Sequence, residues 1–287
     1  MNILITGATG NVGLSVLNHL THQKNNLKVT AGVRNVEKDK DKLQEFNVSL
    51  VTFDFENVQT FQTALQGMDI LFLLRPPQLA EVEKYFKPLI EEVKKCDVRQ
   101  IIFLSVQGVE NSKIIPHHKI EKLITDLKID YTFLRPAYFM QNFTTTLRSD
   151  LVNKHRIYLP SGRAKFTLID VDDIGLVAAK VLNEPQKHLN KSYELTNNET
   201  LTFDEMAYKL SNGLGEKIKF VSPNLLQFFL TKRKEGVHLM FILVMMMLHY
   251  FPRFQKTPKT TDCVKNITGQ EPRSFDDFIL TNLKSLQ

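Results

Sequence analysis

Thiols are scarce in this sequence. Among 287 residues the only cysteines are Cys96 and Cys263, far apart and in no metal-ligand spacing. That argues against a disulfide framework or a structural zinc and fits a reducing compartment such as the cytoplasm. Long apolar runs are missing as well. The best candidate, His238–Phe251 (HLMFILVMMMLHYF), has 14 residues. A helix of that length reaches roughly 21 Å, short of the roughly 30 Å hydrocarbon core, so no membrane span is expected. Lys232, Arg233 and Lys234 precede the run and Pro252 stops it. It reads as a buried or subunit-contact helix in preference to a membrane-attached one, so a homo-oligomer is left open, with an adaptable methionine-rich substrate wall as a further alternative. A strong charge imbalance is absent too. The net charge is +6, and basic residues alternate with acidic ones, as over Asn35–Lys42, which is the pattern of solvated helix faces rather than a nucleic-acid stripe. No basic leader precedes the strand-like Ile3–Thr6, and neither internal repeats nor a disordered linker are visible.

What remains is ordinary globular composition, 43% hydrophobic and 24% charged, carried on an alternating pattern. Short runs rich in Val, Ile, Leu and Phe fall at Ile3–Thr6, Lys28–Gly32, Val48–Thr52, Ile70–Leu74, Ile101–Ser105 and Tyr131–Leu134. Amphipathic stretches lie between them at Asn11–Leu20, Thr60–Leu65, Val82–Lys95 and Lys119–Leu127. Nearly continuous apolar strands separated by helices predict an α/β fold with a doubly wound parallel sheet of the Rossmann type. After Pro136 the regularity breaks. Strands are expected at Lys165–Ile169 and Ser192–Leu195, a helix at Asp173–Leu182, and a capping-box helix start at Thr202 with Glu205. The organisation expected is a core over residues 1–150 and a smaller C-terminal α/β lobe over residues 151–287, interleaved with the core.

The first strand runs into Gly7-Ala8-Thr9-Gly10-Asn11-Val12-Gly13, which opens a helix. In that context Gly7 permits the tight turn, Gly10 lets the backbone approach a pyrophosphate, and Gly13 lets helix and strand pack closely. The helix N-terminus then offers free N–H groups to phosphate. Gly7, Thr9, Gly10, Asn11, Val12 and Gly13 are therefore candidate dinucleotide contacts. At the end of the second strand an acid would accept the ribose hydroxyls of NAD. The residue there is Arg34, suited to a 2′-phosphate, so NADP(H) is preferred with NAD(H) still allowed. After the third strand Asp54 either accepts from the adenine amino group or caps the next turn, with Phe55 beside it. After the fourth, Leu74 would run beneath the nicotinamide ribose. Arg75 there meets phosphate or an anionic substrate, or is solvated.

With these residues in place the sequence resembles the atypical short-chain dehydrogenase/reductase superfamily, and within it the NmrA-like group. The matching residues are Gly7–Gly13, Arg34, Asp54, Leu104-Ser105, Pro116–Glu121, Phe133–Pro136 and Ile169–Ile174, with Ile267–Phe275 like the family's C-terminal end. The resemblance implies an NADP(H)-binding protein: a reductase of quinone-like or other apolar acceptors, an NADP(H)-sensing regulator with a protein partner, or, less in keeping with the residues, an epimerase-like enzyme. Catalytic members carry a Tyr four residues before a Lys at the helix after the fifth strand. Here those positions fall on Lys113 and His117. Ser105 matches the family's active-site serine or threonine.

Without that pair an ordinary ketone lacks its proton donor, whereas a quinone gives a resonance-stabilised phenolate that solvent can protonate. His117 is a candidate replacement donor or ribose ligand, ahead of His118. Pro116-His117-His118 can equally be exposed helix-start residues. Lys113 reads as a solvated loop residue. The Tyr138 hydroxyl either approaches the nicotinamide or packs under the lobe, where Met140, Phe143 and Leu225–Phe251 would line an apolar pocket. Asp170, Asp172 and Asp173 do not form a metal site on this reading. Asp173 is expected as a helix N-cap and the others as strand-end polar residues.

Overall fold

Every residue of Ile70–Leu74 is buried, as happens to a strand covered by helices on both faces. The computed structural model describes residues 1–22 and 27–287, which fall into two compact units. The first comprises Met1–Pro136, Val171–Leu195 and Cys263–Gln270, and the second Ala137–Asp170, Thr196–Asp262 and Glu271–Gln287.

The first unit opens with β1 (Asn2–Thr6), α1 (Asn11–Thr21), β2 (Lys28–Val33), α2 (Val36–Leu43), β3 (Ser49–Thr52), α3 (Gln59–Leu65), β4 (Ile70–Leu74), α4 (Val82–Lys95), β5 (Gln100–Leu104), α5 (Pro116–Asp126) and β6 (Asp130–Pro136). Beyond Pro136 the chain alternates between the units. β7 (Tyr138–Phe139), α6 (Arg148–Lys154), β8 (Arg156–Tyr158) and β9 (Lys165–Ile169) lie in the second, then α7 (Val171–Asn183) and β10 (Lys191–Leu195) in the first. β11 (Thr200–Thr202), α8 (Phe203–Leu214), β12 (Lys219–Val221), α9 (Leu225–Lys234) and α10 (Leu239–Tyr250) return to the second. α11 (Cys263–Thr268) belongs to the first, and α12 (Phe275–Thr281) and α13 (Leu283–Leu286) close the second.

Seven strands form the first unit's sheet in the order β10-β6-β5-β4-β1-β2-β3, and every pairing is parallel. The helices cover it with apolar stripes: α4 buries Val82, Tyr85, Phe86, Leu89, Ile90 and Val93, one face at helical spacing. Helix α7 lies on α1 so closely that a Cβ at Gly175 would stand 2.0 Å from Ser15 Oγ. The unit's first segment ends at Pro136, where a boundary at residue 150 was expected. β10 hydrogen-bonds to β6, so part of the segment expected as the lobe, interleaved with the core, returns to complete this sheet. Two helix starts also differ. α5 begins at Pro116, whose fixed φ suits the first helical position, and this brings His117 and His118 into its first turn. α7 begins at Val171, so Asp173 is a first-turn residue and not the N-cap.

In the second unit β7 pairs with β9 in parallel, β11 with β9 antiparallel, and β8 with β12 in parallel. Its core is aromatic, with Phe143, Phe203, Phe228, Phe275 and Phe278 fully buried. Met140 and Phe143 belong to that core and are not available as pocket lining. Capping boxes start α8 (Thr202 with Glu205), α9 (Asn224 with Gln227) and α12 (Ser274 with Asp277). Of the buried or subunit-contact helix expected over His238–Phe251, one stripe is buried: α10 buries Ile242, Met245 and His249 and leaves Leu239, Met240, Phe241, Leu243, Met247 and Leu248 exposed. Among the described residues no helix is long and apolar enough to cross a membrane.

Candidate dinucleotide-binding site

The chain leaves β1 for β2 and β3 on one side of the sheet and returns on the other as β4, which opens a crevice at the carboxyl ends of β1 and β4. The glycine loop fills that point. Gly7 has φ +60, in the left-handed region, and a Cβ there would press to 3.1 Å on Leu74 Cβ. A Cβ at Gly13 would come within 2.3 Å of Gly7 O and 2.6 Å of Ala8 Cα, so only glycine permits this approach of helix to loop. At Gly10 the added atom would meet nothing closer than Gly7 O at 3.4 Å, which leaves open space in front of the backbone. Gly10 caps α1 without a side-chain hydrogen bond, and the first turn holds no acid. Free N–H groups and positive dipole are therefore uncompensated there. Thr9 is half-buried, Asn11 exposed and Val12 buried. Beneath the loop, Leu74 N donates to Thr6 Oγ1 at 2.8 Å, tying the ends of β1 and β4 together.

The other candidates line the same carboxyl edge. Arg34, just after β2, is exposed and pairs with no acid among the described residues. Asp54, after β3, accepts the Glu56 N–H on Oδ1 at 3.0 Å, so part of its carboxylate already stabilises its own turn. Phe55 is buried against Phe53 and Phe86, which leaves its backbone rather than its ring to face a ligand. Ser105, after β5, is buried, and its hydroxyl has no hydrogen-bond partner among the described residues. A buried polar atom left unpaired costs stability unless something completes it.

Arg75 is half-buried and largely engaged by the chain itself. Its NH1 donates to the carbonyls of Pro76, Pro77 and Leu79 at 3.0, 3.2 and 2.8 Å, and its Nε donates to His117 Nε2 at 3.3 Å. Burial lowers the Arg75 pKa to about 10, so it is still charged at neutral pH. A ring nitrogen that accepts carries no proton, so the neutral His117 ring keeps its proton on Nδ1, which has no partner among the described residues. Burial and then the Arg75 charge lower the His117 pKa to about 3, and the ring stacks on Phe103. Such an imidazole donates a hydrogen bond but is no general acid at neutral pH. The helix carrying it is anchored by Glu121, which receives Arg135 Nε at 3.1 Å and NH2 at 2.7 Å.

The remaining candidates lie elsewhere. Lys113 is exposed before α5. Tyr138 belongs to the second unit, where its hydroxyl meets His249 Nε2 at 3.2 Å and its ring packs edge-on to Phe166 and Phe203. Burial pushes its phenol well above the usual range. Asp172 bonds His19 Nε2 at 2.9 Å and Asp170 accepts from Gln141 at 2.7 Å. Among the described residues no cluster of His, Cys, Asp or Glu converges as a metal site. Sequence reasoning missed the lock that Arg75 places on His117 and the Thr6 clamp. The Phe133–Pro136 and Pro116–Glu121 segments did carry the signal for the Arg135–Glu121 anchor.

A parallel sheet with a glycine-rich first turn at its switch point, an uncapped helix start, an open backbone at Gly10 and an orphaned Ser105 hydroxyl define a dinucleotide-binding fold, and these residues fit such a cofactor. A model of the NmrA-like family matches residues 1–255, and the chain belongs to that family. It is 29% identical to prestalk A differentiation protein A of Dictyostelium discoideum, over 97% of this chain and 91% of that protein. It is 26% identical to quinone oxidoreductase 2 of Escherichia coli (strain K12), over 76% of each. The structure of Citrobacter sp. triphenylmethane reductase complexed with NADP(H) superposes with a TM-score of 0.86 at 26% identity, over 98% of this chain and 99% of that one.

Proposed function

We propose that this chain is an NADP(H)-dependent reductase of flat, conjugated, apolar acceptors of the quinone kind, working in a reducing cytoplasm. The observation that carries the reading is the state of His117: locked by Arg75, it can orient a ligand but cannot deliver a proton at neutral pH. An acceptor suited to this edge must form a product anion stable enough to take its proton from water. The names of the dye-reducing and quinone-reducing relatives point the same way. Free, half-buried Cys96 and Cys263 support the compartment.

When bound, NADPH supplies the hydride. The chain's own part is binding and orientation. The N–H groups at Gly10–Gly13 would hold the pyrophosphate, Arg34 the 2′-phosphate and Asp54 the adenine, while Ser105 Oγ and His117 Nδ1–H would hold the nicotinamide half by hydrogen bonds. Hydride addition to a quinone leaves a delocalised phenolate, and solvent protonates it to the hydroquinone.

The test is NADPH consumption with a panel of quinones, azo dyes and simple ketones, run beside direct titration with NADPH and NADP+. Turnover of the conjugated acceptors alone is expected. Turnover of simple ketones would show a proton donor that this reading denies. Cofactor binding with no turnover of any acceptor would point instead to a sensor that reports NADP(H) to a protein partner.

A further inference from the structure

The second unit carries an exposed apolar helix beside a basic groove. At about 100° per residue, the buried residues of α10 (Ile242, Met245 and His249) occupy a narrow stripe. The exposed Leu239, Met240, Phe241, Leu243, Met247 and Leu248 spread over about 200° of the circumference. Phe251 and Phe254 continue the apolar surface at 57% and 72% exposure. Next to them lies a groove of about 570 Å³ lined by Arg163, Lys165, Arg253, Gln255 and Thr257. It is a built feature: Arg253 rests on the Tyr250 ring, 5.0 Å from its centroid, and fills space that a Cβ at Gly162 (φ +53) would take, 2.8 Å from Arg253 Nε. No carboxylate lines the groove. Glu205, within electrostatic reach of Lys165, is engaged by Thr202 in its capping box. From Gly236 to Thr261 the sequence has no Asp or Glu and carries Arg253, Lys256 and Lys259.

We propose that this face docks on an anionic lipid bilayer, with α10, Phe251 and Phe254 entering the interfacial region and the groove receiving phosphate headgroups. Three features select a bilayer over other occupants. A helix-binding protein groove takes a stripe at i, i+3, i+4 and i+7, whereas about 200° of apolar arc needs a surrounding apolar medium. A second copy would bring cation against cation with no carboxylate in the segment to relieve it. And α10, with 12 residues, spans roughly 18 Å, too short to cross but long enough to lie in the interface.

Vesicle co-sedimentation of the full chain tests this without cofactor or acceptor, so it stands or falls apart from the reductase reading. Wild type is expected to sediment with phosphatidylcholine vesicles containing phosphatidylglycerol, weakly with phosphatidylcholine alone, and less at high salt. Each basic residue near such a surface contributes about fivefold, so R163Q/R253Q/K256Q should lose about a hundredfold in partitioning. F251S/F254S, both exposed, should lose at least about tenfold with an unchanged melting midpoint. Failure of wild type to sediment, equal binding to both vesicle types, or a vesicle-free dimer that F251S/F254S dissociates would each overturn the proposal.

Discussion

The two histidines with the most strongly lowered pKa values, one in each unit, are held neutral by different devices. His117 accepts from Arg75 at Nε2 and keeps an unpaired Nδ1–H at the sheet's carboxyl edge. His249 gives Nδ1 to the Met245 carbonyl at 2.7 Å and accepts the Tyr138 hydroxyl on Nε2 at 3.2 Å, so both its nitrogens are satisfied from within. Burial is the first cause of both lowered pKa values, about 3 and about 4. The perturbed value therefore does not separate a site from a core. The spare hydrogen-bond donor does.

That contrast can be broken most sharply at His249. His249→Ala should destabilise the protein by about 3 kcal/mol, through a cavity among Phe166, Phe203 and Tyr138 and an unsatisfied phenol. Urea unfolding would measure the loss, and NADPH affinity should stay at the wild-type value. In the first unit, Arg34→Glu should leave stability alone and reverse the preference for NADP(H) over NAD(H). A charge-assisted phosphate contact contributes about 1.5–3 kcal/mol, or roughly 10–150-fold. An unchanged ratio of the two dissociation constants would remove Arg34 from the site.

An effect of similar size, spread over the acid range, comes from protonation. The His249 pKa is depressed from its ordinary 6.5 to about 4, so the folded state refuses a proton that the unfolded chain accepts. Its contribution to stability is whole above pH 6.5 and is lost as pH falls toward 4, by up to about 1.4 kcal/mol per pH unit. His249→Gln should flatten that slope in unfolding measured across the acid range. The smallest effects belong to the lock. His117→Ala should weaken NADPH binding and turnover by about two- to tenfold, with the pH–rate profile unchanged in shape. Arg75→Met should raise the His117 pKa, visible as an upward shift of its titration by proton NMR. Loss of a neutral-pH limb from the rate profile in His117→Ala would restore this histidine as an acid.

How far the sequence spoke depended on the range of the forces involved. β4 and α4 are legible to the residue because a doubly covered strand is uniformly apolar and a helix repeats its stripe. The glycine loop is legible because its constraints are local. Arg75 and His117 are 42 residues apart and meet only because parallel register brings the end of β4 to the start of α5. The return of β10 to β6 is invisible for the same reason. Over His238–Phe251 the pattern reports how apolar a segment is, and composition cannot say what covers it.

The seventh strand has a consequence for biosynthesis. A ribosome that has released residues up to Pro136 has delivered six strands but neither β10 nor α7. The β6 edge then offers unpaired N–H and C=O groups, and the α1 face that Gly175 will meet is bare. Because β10 is made only after β7–β9, the sheet closes late, through contacts between residues as distant as Thr132 and Lys191. Such contacts fold slowly. The nascent chain thus passes through a stage with a long raw edge, and nicking the chain between Pro136 and Val171 would turn the closing of that sheet from an intramolecular event into an encounter between fragments.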